Sequence, residues 1–150
     1  MTEPRQPPAA WTGPRAVAAV AAGGALGALA RFGVDRLVPR PGDLPAGTLV
    51  VNVLGCVLMG LLVAAILRRP DVHPVMRPFL AVGLLGGFTT FSTYAAEIRA
   101  ALVEGRLVLG VAYALGTVIL CVAGAALGVA LGMRRSGTPD ETAHPDEDPS

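Results

Sequence analysis

The segment GGFTTFSTY (residues 86–94) decides how this chain folds, because it interrupts a stretch that carries no charged residue between positions 78 and 96. It places two adjacent glycines, four hydroxyl residues besides the tyrosine and three aromatic rings in nine positions. Glycine and β-branched threonine both weaken a helix. The segment therefore predicts a helix broken between Gly86 and Thr90, whose freed backbone must be satisfied by protein, water or a cation.

The rest of the chain has the composition of a membrane protein. Of its 150 residues 53% are hydrophobic and only 15% are charged, and the mean hydropathy is +0.58. A membrane helix needs about 20 mostly apolar residues. Uncharged runs of near that length cover residues 16–30, 44–67, 78–96 and 107–133. They predict an all-α membrane protein with four transmembrane helices, the broken one being the third.

These runs also set the predicted domain limits. Residues 16–133 form the transmembrane domain, between a proline-rich N-terminal segment (1–15) and an acidic C-terminal tail (134–150), both predicted to be disordered. The first run crosses a bilayer only if its helix continues through Arg31 and Phe32. The alternative for this run is a cleaved signal peptide.

Helical spacing sorts the side chains of the opening segment into two edges. Phe88, Phe91 and Tyr94 follow one another at intervals of three, and a hydroxyl edge lies beside them. The hydroxyl edge consists of Thr89, Ser92 and Thr93. Each hydroxyl either bonds the carbonyl one turn back or lines a solute path.

Other runs contribute polar groups that are costly in lipid and are expected to face protein or a pore. Asn52 lies in the second run, and a buried interhelical hydrogen bond explains it about as well as a pore does. Tyr113 and Thr117 are one turn apart in the fourth run, where they can point inward together. Glu97 ends the third run, and without a partner it would lie at the interface.

Charge, cysteine and glycine patterns narrow the possible functions. All twelve basic residues are arginine and the net charge is +1, which argues against nucleic-acid binding. Seven arginines fall on one side of the membrane and five on the other, a balance that permits insertion both ways round. Cys56 and Cys121 are interpreted as small hydrophobes. Glycines at four-residue spacing indicate close helix packing, in which a solute path would form at a subunit interface. They are Gly23 and Gly27, Gly83 and Gly87, and Gly124, Gly128 and Gly132.

Four motifs together resemble the Fluc, or CrcB, family of fluoride channels. They are GGALGALARF in the first run, GTLVVNVLG in the second, GGFTTFSTYAAE in the third and YALGT in the fourth. The resemblance covers residues 23–132 and implies a four-helix protomer of the bacterial inner membrane. It also implies an antiparallel, dual-topology homodimer with two fluoride pores, which would export cytoplasmic fluoride passively.

Site residues follow from the resemblance by position. The family's structural sodium ion would be held at the dimer interface by the main-chain carbonyls of Gly86 and Thr89. The anion pathway would contain a polar track, an aromatic pair and a vestibule arginine. Its residues would be Asn52, Phe91, Tyr94, Ser92, Thr93, Thr117, Tyr113 and Arg31. Tyr94 stands where phenylalanine is usual and Thr117 where serine is more common.

Three other classes remain as alternatives. A small proton-coupled multidrug exporter is also a four-helix, dual-topology dimer, but it needs a titratable acid within the membrane, and the first run has none. A purely structural helix-packing protein conflicts with the polar third run. An enzyme is disfavoured because the sequence shows no acid pair, no nucleophile with a base and no metal cluster.

Overall fold

The computed structural model describes residues 13–39, 44–68, 73 and 75–134, and the secondary structure in these ranges is entirely helical. They contain four spans that are long and apolar enough to cross a membrane: Pro14–Leu37, Ala46–Arg68, Pro78–Val103 and Leu107–Arg134. The prediction of four spans is confirmed. Most of the two predicted disordered tails lies outside the described residues.

Three of the spans are continuous helices, which we name α1 (Pro14–Leu37), α2 (Ala46–Arg68) and α5 (Leu107–Arg134). Helix α1 begins at a proline, two residues before the predicted limit of the transmembrane domain. It passes through Arg31 and Phe32, as a span of that length requires. Near its end the Arg36 guanidinium lies 4.6 Å from the centroid of the Phe32 ring.

The third span has three parts. A π-helical segment, Pro78–Leu85, leads into one helical turn, α3 (Gly86–Phe88), and helix α4 (Phe91–Val103) follows. Between them Thr89 and Thr90 are extended, with φ/ψ of −79°/159° and −144°/124°. The predicted break is confirmed, but the two glycines are helical and only the threonines leave the helix.

Helix α1 packs against the first half of the third span through glycines. The two run parallel, since Gly23 lies against Phe79 and Gly83, and Gly27 lies against Leu84. A Cβ on Gly83 would come within 2.7 Å of the Val20 carbonyl oxygen, so the contact depends on the missing side chain. Gly87 packs in the same way, against the backbone of Gly24. The glycine faces predicted here are confirmed as packing faces.

A second parallel pair is formed by α2 and α5. Here Gly60 faces Gly128, and a Cβ on Gly128 would lie 3.0 Å from the Gly60 Cα. Gly124 and Gly132 continue the contact toward both ends of the crossing. Near its C-terminal end the Arg68 guanidinium donates a 2.8 Å hydrogen bond to the Gly132 carbonyl. Helix α4 joins α5 through a turn in which Gly105 has a φ of +76°, a value that favours glycine.

The α2–α5 crossing gives a direct test of this packing. Gly128→Ala places a methyl group against the Val57 carbonyl oxygen, and overpacking of this kind costs roughly 1–3 kcal/mol. We expect a clear fall in the unfolding midpoint of the purified protein in detergent. Gly116→Ala, on the same helix with no neighbouring atom within 4 Å, is the matched control and should leave the midpoint unchanged or slightly raised. Equal effects of the two substitutions would contradict the assigned crossing.

Candidate functional site

The break in the third span is held by one side chain of α2. Asn52 Nδ2 donates to the Thr90 carbonyl at 3.0 Å, and the Thr90 N–H donates to Asn52 Oδ1 at 2.9 Å. The Asn52 amide therefore supplies the hydrogen-bond partners that a helical turn or a neighbouring strand would otherwise supply to the backbone of Thr90. Of the two sequence-based explanations of Asn52, the interhelical hydrogen bond is the one that the structure shows.

Thr90 organises the first turn of α4. As the N-cap residue it accepts the Thr93 N–H on its Oγ1 at 3.2 Å, the usual way in which threonine satisfies an orphan amide. The same hydroxyl donates to Thr93 Oγ1 at 3.0 Å and lies 3.3 Å from Ser92 Oγ. Ser92 and Thr93 are exposed, so this cluster of hydroxyls opens onto the surface of the protomer.

These hydrogen bonds change what the carbonyls before the break can do. In an unbroken helix the Thr90 N–H would bond the Gly86 carbonyl, and the Thr93 N–H would bond the Thr89 carbonyl. The Asn52 side chain takes the first donor and the Thr90 hydroxyl takes the second. The two carbonyl groups that the family resemblance assigns to sodium are therefore among those at the break that have lost their helical donors.

Three aromatic rings form a continuous series beside the break. The Phe91 and Tyr94 centroids are 5.8 Å apart with planes tilted by 50°, and those of Tyr94 and Tyr113 are 5.6 Å apart with a tilt of 47°. Both tyrosine hydroxyls are engaged, that of Tyr94 with the Ala114 carbonyl and that of Tyr113 with Glu97 Oε2, each at 2.8 Å. Both tyrosine hydroxyls are therefore committed to protein partners.

The predicted aromatic edge needs one correction. Phe88 was expected to align with Phe91 and Tyr94, but the extended Thr89 and Thr90 reset the helical phase between them. Phe88 is buried, with its backbone against Gly27 of α1 and its ring near Gly55 of α2, whereas Phe91 is 79% exposed. Thr89 does not join the hydroxyl cluster either, because its Oγ1 donates back to the Leu85 carbonyl at 3.0 Å.

A cleft of about 340 Å³ lies between α2, α5 and the break. Its lining combines the break, the aromatic series and polar groups of α2 and α5. The members used below are Asn52, Cys56, Thr89, Thr90, Phe91, Tyr94, Thr117 and Cys121. Thr117 is 4% exposed, and within the described part of the chain its Oγ1 meets no hydrogen-bond partner. A buried hydroxyl of this kind is available to a solute in the cleft.

Glu97 has partners that sequence reasoning missed. Its carboxylate accepts hydrogen bonds of 2.8 Å from the Thr48 hydroxyl on α2 and from the Tyr113 hydroxyl on α5. It is thus half-buried at the α2–α4–α5 junction instead of standing alone at the interface. An acid at the end of an apolar run was the available signal, but its partners lie 49 and 16 residues away.

The structure brings together all but one of the predicted pathway residues. Asn52, Phe91, Tyr94 and Thr117 line the cleft, while Tyr113 adjoins it through the ring contact and is, like Thr117, buried as expected. Ser92 and Thr93 stand at its rim through Thr90. Arg31 is the exception, since it is half-buried on α1 and lies outside the lining of the cleft.

Four apolar spans, of which the third is broken beside a cleft, define a small multi-pass membrane protein. Residues 18–129 match the model of the family described as "CrcB-like protein, Camphor Resistance (CrcB)". The match covers about three quarters of the chain, and the chain belongs to this family.

Several curated relatives share most of their length with this chain. "Fluoride-specific ion channel FluC 2" of Thermobifida fusca is 52% identical over 114 residues, which cover 73% of this chain and 84% of the relative. The protein of the same description from Nocardia farcinica is 45% identical over 116 residues, with 77% and 83% covered. "Fluoride-specific ion channel FluC" of Paracoccus denitrificans is 45% identical over 115 residues, with 75% and 90% covered.

The role of Asn52 can be tested by stability. Asn52→Ala leaves the Thr90 N–H and carbonyl without their partner, and an unsatisfied buried group costs about 1–3 kcal/mol. We expect a lower unfolding midpoint in detergent. Leu54→Ala, a larger truncation on the 41% exposed face of the same helix, is the control and should cost less. A smaller effect for Asn52→Ala than for Leu54→Ala would mean that the break is held by something else.

Proposed function

We propose that this chain is a fluoride-selective, passive ion channel that exports cytoplasmic fluoride across the bacterial inner membrane. The relatives described above carry the name of a fluoride-specific channel, and the family match, residues 18–129, includes part or all of each of the four spans. The observation that carries the proposal is the cleft beside the break, whose lining combines aromatic rings with the unengaged hydroxyl of Thr117.

This lining suits a small anion. Fluoride must exchange its water for protein contacts that are favourable enough for entry and weak enough for release. The rim of an aromatic ring is positive, so Phe91 and Tyr94 presented edge-on attract an anion without trapping it. Thr117, Ser92 and Thr93 supply hydroxyl donors near these rings. Among the described residues, no cationic side chain lines the cleft. The absence of a fixed positive charge there keeps anion binding weak.

Transport of this kind needs no coupled energy source. In acidic surroundings neutral HF crosses the lipid and dissociates in the cytoplasm. The negative interior potential then drives the anion outward with about 2.3 kcal/mol per 100 mV. The groups of the cleft therefore only have to conduct and select.

The diverted helical donors support a sodium ion at the break. Sodium prefers oxygen ligands, and the carbonyls of Gly86 and Thr89 are among those that lose their helical N–H partners at the break, because Asn52 and Thr90 take these donors. Gly86 is exposed on the protomer surface, so its carbonyl can be shared with a second copy. When bound, the ion would neutralise carbonyl dipoles that face each other; we assign it a structural role.

A second copy of the chain completes the proposed channel. The protomer leaves large apolar side chains and the Phe91 ring exposed beside the polar break, and the near balance of arginines favours neither orientation. An antiparallel, dual-topology homodimer would place the two breaks together and give each protomer one pathway. Arg31, which lies outside the cleft of its own protomer, would then act at a vestibule that the dimer forms.

The proton-coupled multidrug exporter is not supported. The relatives are named as fluoride channels, and Glu97, the acid of the third span, is tied to Thr48 and Tyr113. A coupling acid must exchange its proton and its substrate in turn, which two hydrogen-bond donors at 2.8 Å oppose.

Anion efflux from liposomes that contain the purified protein tests the function. We expect rapid release measured with a fluoride electrode, while chloride is retained, and loss of fluoride release in Phe91→Ile. Because Phe91 is 79% exposed, this substitution removes a ring edge with little effect on folding. Phe32→Ile, the same change at a ring 58% exposed on α1, is the matched control and should conduct.

Two results would count against the proposal. One is silence of well-folded wild-type protein toward fluoride, and the other is equal release of fluoride and chloride. Equal loss of activity in Phe91→Ile and Phe32→Ile would instead refute the assignment of the aromatic series to the pathway.

A further inference from the structure

The two cysteines of the described chain meet across the α2–α5 interface. Cys56 on α2 and Cys121 on α5 are free, half-buried, and line the same cleft. The two side chains therefore face the same space between α2 and α5. They lie in different apolar runs of the sequence, which gave no signal that they would be neighbours.

Glycine packing explains why the two thiols come so close. One turn beyond Cys56, Gly60 lies against Gly128, and just beyond Cys121, Gly124 lies so that its Cβ would be 3.3 Å from the Val53 carbonyl oxygen. A disulfide needs Cα atoms about 4.4–6.8 Å apart, a separation that ordinary helix packing exceeds. Crossings with small residues on both helices bring the backbones nearer.

The thiol pair also has a fixed relation to the candidate site. Cys56 follows Asn52 by one turn on α2, and Cys121 follows Thr117 by one turn on α5. The four side chains therefore form two successive layers of the same cleft. A bond that fixes the distance between α2 and α5 at the cysteines therefore also constrains the distance between these helices at Asn52 and the unengaged Thr117 hydroxyl.

We propose that Cys56 and Cys121 form a reversible intramolecular disulfide when the protein meets a two-electron thiol oxidant, and that this bond lowers ion transport by locking α2 to α5. The part about transport rests on the proposed function. The disulfide itself depends only on the contact between the two thiols.

The chemistry balances with a diazenedicarboxamide as the oxidant. One cysteine sulfur adds to the N=N bond, and its proton passes to the other nitrogen. The second sulfur then attacks the first, so that the S–S bond forms and the S–N bond breaks, and the leaving nitrogen takes up the second thiol proton. The two thiols lose two electrons, the diazene gains them, and a hydrazine is released.

The locked state has a physical consequence for the pathway. Thr117 lines the cleft one turn from Cys121, and an ion that passes its hydroxyl occupies the space between α2 and α5. A disulfide one turn away would place two joined sulfurs in that space and hold the two helices at one separation. Transport should therefore fall on oxidation and return on reduction.

The test uses full-length protein in liposomes, treated with the diazenedicarboxamide and then with a phosphine reductant. Mass spectrometry should show the loss of two hydrogens per chain and a cross-linked peptide joining positions 56 and 121. On a non-reducing gel the chain should stay monomeric. Fluoride efflux should fall several-fold after oxidation and recover after reduction.

Cys56→Ser and Cys121→Ser are matched variants that keep the size of the side chain. Each should show neither the cross-link nor the oxidant-dependent loss of efflux. The comparison of oxidised with reduced wild-type protein does not use the variants. The test therefore remains valid if either serine variant folds poorly. The chemical readout also stands if reduced wild type transports no fluoride, which would refute the proposed function alone.

Three results would overturn the inference. The first is that both thiols remain reduced under oxidant that fully oxidises a dithiol peptide in the same liposomes. The second is that oxidation gives sulfinic acids or a link between two copies. The third is that the intramolecular disulfide forms and efflux does not change.

Discussion

The pair of hydrogen bonds between the Asn52 amide and the backbone of Thr90 is the interaction on which the rest of this structure depends. A helix cannot open at membrane depth unless its polar backbone groups find partners within the protein. The planar amide of Asn52 carries a donor and an acceptor on separate atoms, so it can pair with the N–H and the carbonyl of one residue. The break, the diverted carbonyl donors and the changed phase of α4 all follow from this contact.

Glycine packing sets the frame in which that contact can form. Two parallel pairs, α1 with the first half of the third span and α2 with α5, each bring backbones close through small residues. After the break, helix α4 packs against α5 of the second pair, where the Tyr94 and Tyr113 rings are in contact. The cleft lies at this change of partner, beside Asn52 and Thr117. The location of the candidate site is thus a result of how the helices pair.

The sequence allowed the prediction of features that are local along the chain. Apolar run lengths predicted the four spans, and glycine spacing predicted the packing faces. The break was expected where glycine and threonine cluster, although Gly86 and Gly87 turned out to be helical, and Gly87 serves close packing against Gly24 instead. Local weakness in a sequence shows where a helix can open, whereas tertiary partners decide at which residue it does.

Features that join distant positions could not be predicted. The partner of Asn52 is 38 residues away, and the Glu97 network and the thiol pair cross between separate spans. Phe88 was placed with the wrong neighbours because one extended dipeptide shifts the helical phase of everything after it. The proposed vestibule role of Arg31, the proposed sodium ligands and the proposed dimer all involve a second copy of the chain, a relation that spacing along one sequence does not encode.

The most direct measurement uses the peptide bond between Thr89 and Thr90, the only Thr–Thr bond in the sequence. Threonine labelled with ¹³C at the carbonyl and with ¹⁵N should give one carbonyl-to-amide NMR correlation from protein in lipid nanodiscs. We expect a Thr90 amide protected from hydrogen exchange, a protection lost in Asn52→Ala, and a Thr89 carbonyl shift that changes when sodium is replaced by a bulky organic cation. Rapid exchange in the wild type, or a signal unchanged by both the substitution and the replacement, would contradict the account.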